Sequence, residues 1–234
     1  MGTLRLNNRG LTEVSTVILS ADLQNLLLCD NRLPALPPNL PYLSALRVLD
    51  VTANLLQSLP ADLPPSLEIL YAGCNRLTSL PSVLPASLQI LSIHRNAITC
   101  LPDTLPTGLH TLVASHNRIT VLPLVLPPAL RHLRLDHNAL SVFPSSLPDN
   151  LVELWLEHNA ISCIERVTVP ISLLSLRLDH NCLTHIHHFS FNPTLFCTLE
   201  GNRLPLPYSS DRELLYAYLT RLINYQDAQM QSWY

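Results

Sequence analysis

The chain has 234 residues and a net charge of -3, which excludes bulk electrostatic attachment to nucleic acid or to an anionic membrane as its mode of action. No stretch reaches the roughly 18 apolar residues of a bilayer span, so no membrane insertion is expected, and no basic segment followed by an apolar one marks a secretory leader. All 14 basic residues are arginine, which fits either a GC-rich coding sequence or avoidance of ubiquitin attachment, for which lysine is the acceptor.

Residues 1–22 read as a degenerate first repeat. Met1-Gly2 resembles the start of a myristoylation signal, but Leu6 stands where Ser or Thr is wanted. Leu4-x-Leu6 opens an L-x-L-x-x-N-x-L unit with Arg9 in place of the asparagine. From residue 23 the unit recurs with asparagine at 31, 54, 75, 96, 117, 138, 159, 181 and 202. The steps are 23, 21, 21, 21, 21, 21, 22 and 21 residues. A fixed period of this size predicts a solenoid over 23–207.

One repeat, Leu84 to Leu101, shows how the unit folds. Gln89 to Ile93 alternates core-facing and solvent-facing residues, the period of a strand. Leu88, Leu91, Ile93 and Ile98 face inward and stack on their counterparts. Asn96 turns the chain out of the strand, and its side-chain amide can satisfy backbone groups of the next turn. The return carries L-P-x-x-L-P, as in Leu59-Pro60…Leu63-Pro64 and Leu122-Pro123…Leu126-Pro127. Prolines this dense exclude helix and favour an extended, polyproline-like path. The expected fold is a solenoid with parallel β-strands on a concave face and extended returns on a convex one. Residues 208–234 are expected to cap it. Ser210 with Glu213 reads as a capping box, and Leu214, Leu215, Tyr218, Leu219, Leu222 and Ile223 have helical spacing, giving a helix over 211–227. A partner-binding amphipathic helix is the other reading of that segment.

The L-P-x-x-L-P-x-x-L-x-x-L-x-V/A-x-x-N-x-L-x-x-L-P unit resembles the short bacterial, LPX type of leucine-rich repeat. It is similar to the repeat domains of the YopM and IpaH/SspH effectors, which Gram-negative pathogens inject into host cells by type III secretion. The resemblance covers about residues 23 to 207. It implies a non-enzymatic, monomeric interaction module that binds a host protein on its concave face, in the host cytoplasm or nucleus. In the IpaH/SspH branch the repeats precede a helical ubiquitin-ligase domain with a Cys-x-Asp motif. No Cys-x-Asp occurs here, and too few residues follow the repeats to hold that domain. The alternative implied is therefore the substrate-recognition part of a ligase whose catalytic domain lies outside this chain.

The register sorts the remaining residues. Six cysteines do not form a disulfide framework: Cys100 and Cys163 hold equivalent places three repeats apart, about 15 Å at ordinary strand spacing. Free thiols in a reducing compartment are expected. Between the core leucines, Asp50, Tyr71, Arg134, Trp155 and Arg177 face the groove. His132 and Glu153 stand two places earlier in their repeats, and Asp136, Glu157 and Asp179 just past the second core residue. These are the candidate partner-binding residues. The groove is apolar around Val48, Ile69, Tyr71, Ile90 and Val113, and charged around Trp155. Trp and Arg are types enriched at binding hot spots, and an indole exposed on a strand needs a reason. The bland reading of the charged residues is a set of solvated cross-strand pairs.

His116, His137, His158 and His180 form a column, with copies expected about 5 Å apart, and His185, His187 and His188 make a second cluster. Zinc binding is one reading, but ligands must converge and a column displays them in parallel. Copying of a duplicated unit explains the column better, so no metal and no cofactor are expected. Neither a phosphate loop, G-x-S-x-G nor H-E-x-x-H is present.

Overall fold

The computed structural model describes residues 2–15, 19–187 and 194–204. The helix expected over 211–227, its capping role and His188 lie outside these residues, and His187 is described by its backbone alone.

Twelve short parallel strands carry the described residues. They are β1 (Gly2–Arg5), β2 (Leu23–Leu27), β3 (Val48–Asp50), β4 (Ile69–Tyr71), β5 (Ile90–Ser92), β6 (Thr111–Val113), β7 (His132–Arg134), β8 (Glu153–Trp155), β9 (Cys163–Glu165), β10 (Ser175–Arg177), β11 (His185–His187) and β12 (Phe196–Thr198). Ten form one sheet in the order β1-β2-β3-β4-β5-β6-β7-β8-β10-β12, and β9 pairs with β11 separately. The main sheet is in register repeat by repeat. Leu49, Leu70, Leu91 and Leu112 are directly aligned, and so are Leu133, Leu154 and Leu176. All of these leucines are fully buried. Burying one leucine stabilises by about 1.5–3 kcal/mol. A chain that repeats the unit therefore extends one continuous core rather than building several.

The asparagines close each turn with both ends of their amide. Asn96 Nδ2 donates to the carbonyls of Ala72 and Ile93 at 3.0 Å each, and its Oδ1 accepts the Leu77 N–H at 2.9 Å. Asn181 does the same with Leu156, Leu178 and Ile161. Only a side chain that both donates and accepts fits here; an aspartate would set its carboxylate against carbonyls. In the first repeat, Arg9 lacks such an amide. There Asn31 of the next turn takes the N–H groups of Arg9 and Leu11, at 3.0 Å each.

The residue before each asparagine is left-handed. Asp30, Ala53, Cys74, Arg95, His116, His137, His158 and His180 all have φ between 53° and 56°, and Gly201 has 71°. Such a conformation costs a non-glycine residue about 1–2 kcal/mol. It is held because the N–H of the same residue joins the neighbouring turn, as in His116 N–H to the Asp136 carbonyl at 2.9 Å.

The returns divide into two kinds. In most, the second proline of L-P-x-x-L-P begins a tight turn back into the strand: Leu67, Leu88, Leu109 and Leu130 donate to Pro64, Pro85, Pro106 and Pro127 at 3.0–3.1 Å. These proline-bearing returns add no strand to either sheet. The longer first return instead holds a one-turn 3-10 helix, Leu40–Tyr42. The last two described returns correct the expectation of a polyproline-like path throughout. Residues 162–166 and 184–187 lack proline, keep their N–H groups and carry Ile164 and Ile186 inward, so β9 and β11 pair as a second parallel ribbon. No helix of the described residues is long and apolar enough to cross a membrane.

Candidate functional site

Strands β7, β8 and β10 lie side by side, so Arg134, Trp155 and Arg177 are direct cross-strand neighbours. The guanidinium carbons of Arg134 and Arg177 sit 3.9 and 4.1 Å from the indole centre, one on each side. The indole is therefore not the bare exposed ring that the strand position suggests: it is half-buried between two cations. Each contact of this kind contributes about 0.5–1 kcal/mol where water still reaches it.

Carboxylates fix the guanidinium groups. Glu153 Oε2 accepts from Arg134 at 3.1 Å and lies 3.3 Å from His132 Nδ1. Glu157 Oε1 lies 3.5 Å from Arg177. The two acids respond oppositely. Burial pushes the Glu153 carboxyl up, but hydrogen bonds from Arg134 and His132 outweigh it and leave it below its ordinary value. Burial raises the Glu157 carboxyl, and the flanking Asp136 and Asp179 charges raise it further, more than Arg177 compensates. Among the described residues, the buried Nε of Arg134, Nε of Arg177, Nε1 of Trp155 and Oε2 of Glu157 have no hydrogen-bond partner.

Beside this stack runs the acidic row. Ser115 Oγ donates to Asp136 at 2.5 Å, Thr198 Oγ1 donates to Asp179, and the Glu200 N–H donates to Asp179 at 2.6 Å. Next to it the four column imidazoles are stacked face to face. Ring centres are 4.2, 4.2 and 4.5 Å apart along His116, His137, His158 and His180, with tilts of 9°, 12° and 17°. His180 lies over Gly201, where an added Cβ would fall 2.4 Å from Nδ1. Trp155, Arg177, the acids from Asp136 to Glu200 and the rings of His137, His158 and His180 line one open pocket of about 420 Å³.

The structure thus gathers His132, Arg134, Asp136, Glu153, Trp155, Glu157, Arg177 and Asp179 on adjacent strands. Asp50 on β3 and Tyr71 on β4 stand apart, about 14–19 Å from β7 at ordinary strand spacing. Asp50 is occupied locally, accepting the Thr52 N–H at 3.0 Å. The histidines were legible as a column but not as the wall of the tryptophan pocket, because that depends on side-chain direction. All six cysteines are free thiols; burial raises Cys29 to about 11 and the buried Cys197 to about 12. One further cluster is Cys163 with Glu165 and His185 on the β9–β11 ribbon; Cys163 repeats the place of Cys100, whereas Glu165 stands where the earlier repeats have proline.

No protein-family model and no curated protein matches the sequence. Solved structures do. The chain is similar to YopM from Yersinia enterocolitica, with 32% identity over 86% of this chain and 42% of that one, at a TM-score of 0.74. It is similar to a leucine-rich-repeat protein of Leptospira interrogans, with 26% identity over 88% of this chain and 62% of that one, at 0.72. YopM of Yersinia pestis, described as a leucine-rich effector protein, gives 26% identity over 88% and 68%, at 0.63. The chain spans less than two thirds of the first two. The fold is a leucine-rich-repeat solenoid, and bacterial effectors are among its structural neighbours.

Proposed function

We propose that the chain is the repeat portion of a bacterial effector and that its open sheet face holds a host protein, with Arg134, Trp155 and Arg177 as the anchor. The observation that carries this is the ordered stack itself. Two guanidinium groups and an indole are fixed before any partner arrives, so less side-chain entropy is lost on binding. Trp and Arg are the types that dominate interface energetics. The guanidinium faces are spent on the indole, which leaves their N–H edges for acceptors on the partner; an acidic side chain suits them best. The acids on either side keep the arginines from collapsing onto a single carboxylate. The likeness to YopM supports the effector setting, and with it action inside the host cell. A binding role fits a site made of stacked and paired side chains.

The test is affinity capture from host-cell lysate with mass spectrometry, comparing the unaltered chain with Trp155→Ala. The substitution is expected to weaken capture of the specific partner by at least about 1 kcal/mol, roughly fivefold, with an unchanged circular dichroism spectrum. Equal capture by a folded Trp155→Ala protein would remove the anchor from this reading.

A further inference from the structure

The geometry points to a transition-metal site on the β9–β11 ribbon, formed by Cys163, Glu165 and His185 and suited to zinc. The ribbon forms where residues 162–166 and 184–187 lack the first proline of L-P-x-x-L-P, the earlier of these two returns keeping the second, Pro170. Glu165 and His187 stand six places after Asn159 and Asn181, where the five preceding repeats have Pro60, Pro81, Pro102, Pro123 and Pro144. Copying of the repeat therefore does not account for Glu165, as it does for the histidine column, although Cys163 repeats the place of Cys100. Parallel pairing sets Cys163 opposite His185 and Glu165 opposite His187, with Ile164 and Ile186 buried beneath.

One ligand atom from each of Cys163, Glu165 and His185 lies within 4.8 Å of the other two. Around a tetrahedral zinc, with bonds of about 2.0–2.3 Å, ligand atoms stand about 3.3–3.8 Å apart. The gap is of the size that rotamer adjustment of partly exposed side chains spans. Thiolate, imidazole and carboxylate together are a zinc donor set, and three protein ligands leave a fourth position to water.

Polar contacts at both ring nitrogens orient His185 on the ribbon. Thr184 Oγ1 donates to the Ser162 carbonyl at 3.3 Å and lies 2.9 Å from His185 Nδ1. His185 Nε2 lies 3.2 Å from Glu165 Oε1. A metal ion between them would take the place of a ring proton and would serve Cys163 as well. A hydrogen bond that fixes the distal ring nitrogen is how metal-binding histidines are commonly oriented. The stacked column offers no comparable constraint, although His116, Asp136 and His137 also lie within reach of one another. The ion enters as the divalent cation, binding releases the thiol proton, and no oxidation is involved.

The experiment is titration of the metal-free full chain with Zn²⁺ by calorimetry, and with Co²⁺ by absorption spectroscopy. Expected are one equivalent bound and, with cobalt, a thiolate-to-metal charge-transfer band. Cys163→Ser should abolish that band, and His185→Ala should weaken Zn²⁺ binding at least about tenfold. The double variant His116→Ala/His137→Ala should change neither. The three side chains reach solvent, so the variants should fold, which circular dichroism checks; Glu165→Gln gives an independent third reading with the same expected loss. The site is refuted by the absence of stoichiometric uptake. It is equally refuted by uptake that survives Cys163→Ser and His185→Ala but falls with the column variant.

Discussion

Strands β3 to β6 and strands β7, β8 and β10 share one leucine core and one asparagine ladder, yet they meet solvent with different chemistry. The first group presents Val48, Ile69, Tyr71, Ile90 and Val113. The second presents His132, Arg134, Glu153, Trp155 and Arg177, locked into ion pairs and a cation–indole stack. The inward residue between each pair of outward ones does not vary in kind. The repeat thus restricts one position to leucine and leaves its two neighbours free, so specificity can be written locally without disturbing the fold.

The largest expected effect tests the shared part. Leu70→Ala and Leu154→Ala, one in each group and both fully buried, should each destabilise by about 2–5 kcal/mol in urea unfolding. A much smaller loss in one of them would show that the two groups do not rest on a common core. Removing an amide comes next. Asn54→Ala and Asn181→Ala each strip two carbonyls and an N–H of their partners. Each should cost about 2–3 kcal/mol, since the orphaned groups are buried.

Binding should separate what stability does not. Tyr71→Ala, in the apolar group, should leave partner capture within about 0.5 kcal/mol of the unaltered chain, against the larger loss at Trp155. A Tyr71 effect equal to that at Trp155 would move the anchor toward β4.

The smallest effects concern Glu153 and Glu157, and they carry opposite signs. Glu153 titrates below its ordinary value of 4.5 when folded, so its ionised form stabilises above that value and the contribution is lost as pH falls through the folded pKa. Glu157 titrates above 4.5, so its ionised form is a penalty at neutral pH, relieved as pH falls through its raised pKa. At neutral pH, Glu153→Gln should destabilise and Glu157→Gln should stabilise, each by about 0.2–1 kcal/mol. Both differences should fade in acid, once the carboxyls are protonated. Thermal melts across that range check both signs, and like-signed shifts would contradict the electrostatic picture of the stack.

The two groups also separate what could be read from spacing and what could not. The strand at Glu153–Trp155, its alignment with Arg134 and Arg177, and the parallel histidine rings follow from counting residues from the asparagines. The half-burial of Trp155 does not follow, because it depends on which rotamers two arginines adopt under the pull of Glu153 and Glu157. The placing of Tyr71 in an apolar stretch apart from the charged cluster does follow, since the register sorts the groove residues strand by strand. The β9–β11 ribbon is not legible for another reason: it is marked only by the absence of the first proline of L-P-x-x-L-P, at residues 165 and 187, and a missing proline is a weaker signal than a present one.

The sequence by itself determined the solenoid, the register of its main sheet and the inward face of every strand in it. A one-dimensional array brings each residue beside its own counterpart, so the repeat period is already the contact map. Tertiary structure decided the sandwich around Trp155, the shared wall of acids and imidazoles, and the meeting of Cys163, Glu165 and His185. Those contacts join unlike residues of neighbouring turns. Which of them form depends on side-chain direction and on where the backbone keeps its N–H groups free to pair.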